Sequence, residues 1–600
     1  MLAVTILFHQ LPTIQHYAAA PRLINRLFRE PSMDFQRILI LLGLAVTTYM
    51  LILAWNDDYG SGRTEPVAIV ADNSNTMNNA DISSNALPGY DTALLDSSSA
   101  DIPTDSILSE APEAPSVPSL NQQGARYITV TTDVLNVTID TRGGDIVKAS
   151  LVKFPALIDN PDIPFVLMDP GNAYAAQSGL IGTNGTDTAA GRPLFVAERQ
   201  DYQLRAGNDQ VQVDLTLTNN GVDIIKRFTL RRDDYLIDVD YVVANNGNSD
   251  WKVALFGQIK RDGQSPVMID ENAMGLKPYT GGATFTVDTP YTKVEFDDLE
   301  ETPYKTVVEG GYMAMVQHYF VTAWVPKDKD AKHTFHARKL TNKDAYLFGF
   351  TSPSWTLAPG ASGSRGAQFY VGPKDQYRLE EISPGLDLTV DYGFLWWLAK
   401  PMFALLTFVH EHVNNWGLAI IVLTIIVKTL LFPLSAAGFK SMAKMRKLQP
   451  EMARLKERYG DDKQQFTQAM MALYKKEGAN PLGGCLPIVL QMPVFLALYW
   501  TLMESYELRQ APFMLWINDL SVMDPYFVLP ILMGASMFVT QMMQPEPPDP
   551  MQAKVMKVMP VMFTFFFLWF PSGLVLYWLV NNLLSIAQQW FVTRQVEKAG

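Results

Sequence analysis

Between Ile38 and Trp55 the chain reads ILILLGLAVTTYMLILAW, close to the ~20 apolar residues a helix needs to cross the hydrocarbon. Arg37 precedes the run and Asp57-Asp58 follow it, so the positive-inside rule predicts a cytoplasmic N-terminus. No small-residue cleavage signature ends the run, which therefore reads as an uncleaved signal-anchor. Met33-Asp34-Phe35-Gln36-Arg37 would make a natural short cytoplasmic start. On that reading residues 1–37 are the cytoplasmic N-terminus, and 1–32 a start-site artefact.

From 56 to 125 the periodicity vanishes. Ser, Asn, Asp, Pro and Ala dominate, and Arg63 is the only base between Asn56 and Gly124. Too little apolar surface is available to offset the entropy of ordering, so a disordered acidic tether is expected. Over 126–385 the pattern becomes period two: Tyr127 to Thr131, Val134 to Asp140, Val211 to Leu217 and Tyr235 to Ala244 alternate. Asn219-Asn220-Gly221 is a hairpin signal. Many strands with Gly/Asn turns predict a large extracytoplasmic β-sandwich. His333 and His336 fall on one alternating segment beside Lys332 and Arg338, and a solvated strand is expected there instead of a metal site.

After Asp391 long apolar runs return. Gly417–Leu434, Leu486–Tyr506, Tyr526–Met543, Val555–Phe570 and Leu574–Phe591 read as spans, the last two joined by Pro571-Ser572-Gly573. The loop 435–484 carries ten Lys and Arg between Lys440 and Lys476, so it is expected in the cytoplasm. Only one crossing can then lie between the outer β-domain and that loop. The segment 386–416, with Lys400-Pro401 and Trp396-Trp397, is therefore expected to hold an interfacial amphipathic helix. The result is a polytopic α-helical membrane protein of six spans, both termini cytoplasmic, with the β-sandwich between spans one and two. Residues 417–600 form its five-span core.

Composition sharpens this picture. The 600 residues carry 18% charged side chains, below the roughly 25% of average usage. A single cysteine, Cys485, excludes an intramolecular disulfide framework. The net charge of −13 comes largely from the tether and argues against nucleic acid as a partner. No P-loop, HExxH, nucleophile elbow or Rossmann glycine pattern is present, so no enzyme, metal or cofactor is expected.

Lys428, within TIIVKTLLFPL, is the informative residue. A cation inside a span costs roughly 2.5–3.5 kcal/mol on insertion scales. Snorkelling to the cytoplasmic edge is one answer. The other is a hydrated cavity, with Thr424 one turn earlier and Gln491, Asn581, Asn582 and Gln588 on other spans. With no intraspan carboxylate to neutralise it, water is favoured over a dry ion pair. Met442, Met445, Leu448, Met452, Leu455 and Tyr459, then Phe466, Met470, Leu473 and Tyr474, recur at helical spacing around Gly460-Asp461-Asp462. They predict a helical hairpin over 435–484 with a basic outer face suited to anionic lipid. Many of the 27 methionines follow residue 440, and flexible thioethers suit varied apolar partners.

The runs NPLGGCLPIVLQMPVFLALY, ELRQAPFMLWINDLS and DPMQAKVMKVMPVMFTFFFLWFPSGLVLYWLVNN, with SMAKMRKLQP and RYGDDKQ before them, resemble the YidC/Oxa/Alb membrane-protein insertases in their Gram-negative form. TRGGDIVKASL and GGYMAMVQHYFVTAWVP carry weaker likeness. The resemblance implies a chaperone and insertase of the inner membrane. It implies a groove open to cytoplasm and lipid, formed by Lys428, Thr424, Gln491, Asn581, Asn582, Gln588, Tyr577 and Trp578. It also implies a hairpin needed for insertion, represented by Met442, Arg446, Arg458, Asp461, Asp462 and Lys463. Nascent membrane proteins, the Sec translocon, the signal recognition particle with its receptor or the ribosome, and lipids are the implied partners. The family's usual arginine is lysine at 428, which keeps the charge but not the planar fork. A ribosome-binding basic tail is not expected after Lys598. Two rival readings are a transporter or channel, which usually shows repeats or paired acids, and a membrane-anchored carbohydrate-binding module.

Overall fold

The computed structural model describes residues 101–103, 126–188, 191–264, 278–340, 344–459, 462–479, 486–545 and 550–598. The expected signal-anchor, the start at Met33, most of the acidic segment, Gly460, Asp461 and Cys485 lie outside these residues.

The alternating region folds into two sheets packed face to face. The larger has eleven strands. Its main path runs Tyr304–Glu309, Lys332–Lys339, Tyr346–Thr351, Trp251–Arg261, Ala175–Ile181, Asp145–Leu157, Leu135–Asp140, Tyr127–Thr131 and Asp201–Gln203. The nine-stranded sheet centres on Phe320–Pro326, Ser362–Pro373, Leu236–Asn245 and Val222–Arg231. The expected hairpin forms with Asn219 opposite Val222. Asn220 and Gly221 take φ of 50° and 76°, the left-handed pair that a two-residue turn between twisted strands requires. Buried side chains such as Val239, Ile259, Trp324 and Phe369 fill the space between the sheets. The Trp324 indole donates across it to the Gln258 carbonyl at 3.1 Å.

Two expectations are corrected here. His333 is not on a solvated strand face. It is buried, with its ring nitrogens at 3.1 Å from Ser352 Oγ and 2.7 Å from the Asp328 carbonyl, because residues 333, 335 and 337 alternate inward. Among the described residues no cluster of metal-binding side chains forms. The acidic segment is also not free throughout: Asp101 is fully buried against the β-domain.

The C-terminal part is helical: α1 (Trp396–Val413), α2 (Trp416–Leu430), α3 (Phe432–Lys447), α4 (Gln449–Tyr459), α5 (Lys463–Lys476), α6 (Leu486–Glu504), α7 (Val528–Met543), α8 (Pro550–Phe566) and α9 (Ser572–Lys598). The expected Gly417–Leu434 span is interrupted. α2 and α3 meet at a 68° bend, where Pro433 supplies no N–H and sits in the first turn of α3, the position that tolerates it. Conversely Pro401 does not interrupt α1. That helix buries Ala399, Met402, Phe403, Leu406 and Val409 on one face and exposes Trp396, Trp397 and Phe408 on the other. Among the described residues, Gly393–Val413 and Met551–Trp569 qualify as spans by length and apolarity, and α2 with α3 as a third if counted as one broken span.

The β-domain is bonded to the helices at one end. Lys374 and Glu504 form an ion pair whose side chains are 2% and 5% exposed. His318 Nε2 lies 2.9 Å from the Met503 carbonyl, and Arg509 donates to the Pro155 carbonyl at 2.7 Å. Arg509 also lies over the Phe165 and Phe320 rings.

Candidate functional site

Lys428 occupies the last turn of α2 and not the middle of a span, because the bend at Leu431 ends the helix early. A cation there complements the negative end of the helix dipole. Its side chain does not snorkel outward: Lys428 is only 9% exposed. The ammonium donates to Gln491 Oε1 on α6 at 3.1 Å and to Ser585 Oγ on α9 at 2.8 Å. Among the described residues it has no ion-pair partner. Glu504, the acid on α6, is taken by Lys374 at the far end of that helix.

Two cavities adjoin the ammonium. One of about 20 Å³ is lined by Thr424, Lys428, Gln491, Tyr577 and Asn581 among others. The second, of about 140 Å³, is lined by Lys428, Met442, Gln491, Trp578, Asn581, Asn582 and neighbours. A single water needs ~10–15 Å³ measured this way, so the first has room for one and the second for several. An ammonium has three donors, and the two neutral oxygens accept from two of them. The cavity wall is mixed, with amides and hydroxyls beside Phe439, Met442, Met492 and Phe495.

Seven of the eight expected groove residues line these cavities: Lys428, Thr424, Gln491, Asn581, Asn582, Tyr577 and Trp578. Asn582, in the wall of the larger one, also donates to Ser536 Oγ at 3.0 Å, tying α9 to α7. Gln588 stands apart. It donates to the Lys428 carbonyl at 3.4 Å and lines neither cavity. Ser585 was missed, although Asn581, Ser585 and Gln589 recur every four residues on α9 and so share one face. Gln589 and Gln544, also in the larger cavity wall, were missed with it.

The hairpin residues separate. Met442 is buried and faces the larger cavity. It clusters with Phe439, Met445, Met452, Tyr474 and Val592, so α3 contributes to the wall of the larger cavity. The last span does not stop at Phe591: α9 continues, and Val592 and Val596 cover the methionine seam. Arg446 and Arg458 are exposed. Asp462 caps α5, its carboxylate accepting from the Gln464 and Gln465 amides at 3.0 Å. Lys463 is the first residue of α5.

At the end joined to the β-domain the helical interior is closed. Ser572 and Gly573 donate to the Val522 and Leu520 carbonyls at 2.7 and 2.9 Å, which stitches the start of α9 to the loop after α6. Ile420, Leu520, Leu574 and Val575 are buried there. Gly417 lets the Phe513 ring lie on α2, since a Cβ would come within 2.0 Å of it.

Comparison with known proteins agrees along nearly the whole chain. The family described as the YidC periplasmic domain matches residues 127–405, and that described as 60Kd inner membrane protein matches 408–599. The membrane protein insertase YidC of Azotobacter vinelandii is 51% identical over 571 residues, which is 94% of this chain and 99% of that protein. That of Cellvibrio japonicus is 51% identical over 577 residues, with the same shares. A crystal structure of an active YidC insertase covers 78% of this chain and 92% of its own, at 18% identity and a TM-score of 0.35. A galactose mutarotase-like protein from Lactobacillus casei covers 41% of this chain and 99% of its own, at a TM-score of 0.28. Structural likeness at these scores carries no argument about function.

Proposed function

The chain belongs to the YidC/Oxa/Alb family of membrane-protein insertases, and we propose that it receives the polar segment of an inserting chain in the cavity beside Lys428. It is a multi-pass inner-membrane insertase and chaperone with a periplasmic β-domain, not an enzyme, and its substrates are nascent membrane proteins. In our reading the chain crosses six times with both termini in the cytoplasm, and α1 lies in the interface. Sec translocon components, the targeting particle and its receptor or the ribosome, and lipids are its further partners.

The observation that carries the proposal is a buried cation that, among the described residues, is held by neutral oxygens. Each unsatisfied peptide group in hydrocarbon costs several kcal/mol, which is what a translocating polar segment faces. A cavity with room for water and lined by amides replaces part of that lost hydration. A cation without a carboxylate keeps its field for an incoming acidic or carbonyl-rich segment. Closure at the β-domain end keeps the path from becoming a pore. The substrate's own helix supplies the driving force, at about 0.3–0.6 kcal/mol per central Leu, Ile, Phe or Val.

The test is depletion of the native insertase, complementation with variants, and protease protection of a short-loop membrane protein. Lys428→Ala is expected to lower insertion at least tenfold while Lys428→Arg retains it. Full insertion by the alanine variant on several substrates would show that the cation is dispensable.

A further inference from the structure

Lys260 and Asp101 form an ion pair at 2.7 Å whose side chains are 1% and 0% exposed. The carboxylate belongs to residues 101–103, which precede the β-domain; the ammonium is on the central strand Trp251–Arg261. Beside it, the Gln258 amide donates to the Asp101 carbonyl at 2.7 Å and to Gln177 Oε1 at 2.8 Å. Ile102, 7% exposed, clusters with Ile181, Ala254 and Phe256.

Register shows which face this is. Lys260 pairs with Leu347, and Leu347 with Arg338; Gln258 pairs with Gln177 and Gly349; Phe256 pairs with Gly179. Paired residues point to the same side of a sheet and alternate along each strand. The intervening Val253, Leu255 and Ile259 belong to the core between the sheets, so Lys260, Gln258 and Phe256 face away from it. Gly179 and Gly349 contribute no side chain at the centre of that face. Arg338 adds a second cation, whose pKa burial lowers while the Asp101 charge opposes that shift.

A carboxylate is not removed from water unless its site repays the desolvation. This face repays it with a buried ammonium, a side-chain amide on the adjoining peptide carbonyl, and an apolar seat for the next residue. Those are the parts of a peptide-recognition site for an Asp-aliphatic pair. We propose that the outer face of the larger sheet is such a site, and that its ligand is the chain's own Asp101–Ile102–Pro103. The seated segment is a strap. It moves the point where the preceding chain is held to the β-domain from Arg126 to Asp101, and it closes that face to other ligands.

The test uses the full-length protein in detergent, with Cys485→Ser and Ile102→Cys, and follows maleimide labelling at position 102. Labelling is expected to be at least tenfold slower in the native protein than after unfolding. Adding Asp101→Asn is expected to raise the native rate tenfold or more. So is Asp101→Asn with Lys260→Met, which removes both members of the buried ion pair; circular dichroism confirms that the sheets persist. Fast labelling with Asp101 intact, or protection that survives in the doubly neutralised protein, would overturn the strap.

Discussion

In the β-domain Lys260 meets Asp101, and Arg192 lies between Asp145 and Asp187. In the helical core, among the described residues, the Lys428 ammonium donates to Gln491 and Ser585. Both regions bury cations. In the β-domain Lys260 and Arg192 have counter-charges in ion-pair contact, although Lys226, equally buried, donates to the Gly143 and Ser178 carbonyls. Beside Lys428 no carboxylate among the described residues is in contact. A paired buried charge is locked in place, because removing either partner strands the other. An unpaired one held by neutral oxygens strands no carboxylate when it is removed. The paired cations of the β-domain are fixed by their carboxylates, whereas Lys428 is fixed by neutral oxygens.

The largest effect expected from this contrast lies at the junction. Lys374→Met strands the Glu504 carboxylate and should cost about 3–5 kcal/mol, whereas Lys374→Met with Glu504→Leu should recover most of it. Thermal or denaturant unfolding of the full chain in detergent measures both. Equal losses in the single and double variants would show that this pair is not held as a charge pair.

Lys428→Met should reverse that pattern. Insertion is expected to fall tenfold or more while unfolding shifts by no more than about 1 kcal/mol, since no carboxylate is left alone. A large stability loss would place Lys428 with the structural cations and erase the comparison.

The junction should also respond to pH. Burial, with Lys374 nearby, holds the His318 imidazole down to about 3. The unfolded chain takes up that proton near 6.5, its ordinary value, so the unfolded state gains protons first as pH falls. Stability contributed here is fully present above about 6.5 and declines as pH falls toward 3. His318→Gln should flatten the stability profile over that window. An unchanged slope would mean that other groups control it.

The smallest effect concerns the cytoplasmic helices. Asp462→Ala removes the side-chain cap of α5 and should cost about 1 kcal/mol. Hydrogen exchange of the first turn of α5 reads the loss.

Much of this molecule was legible in one dimension. Period-two alternation from Tyr127, the Asn220-Gly221 turn and the apolar runs identified sandwich and helices, because local periodicity and turn chemistry act over a few residues. The polar residues of α9 at 581, 582 and 588 were legible as oddities inside an apolar run, and so was Lys428. Ser585 was not, because a lone serine in a helix is unremarkable until an ammonium stands 2.8 Å from it.

What the sequence determined by itself was therefore the type and order of the elements and the presence of a costly cation among apolar residues. Only the tertiary structure decided which neutral oxygens meet that cation, that α2 bends before its expected end, and that Glu504 is taken by Lys374. It also decided that Asp101, in a stretch with no pattern of its own, is drawn onto a distant strand. Periodicity reports how a residue relates to its near neighbours. The partners of a buried charge come from segments distant in the chain, here 159 positions apart for Asp101 and Lys260, and their meeting is settled by how whole sheets and helices pack.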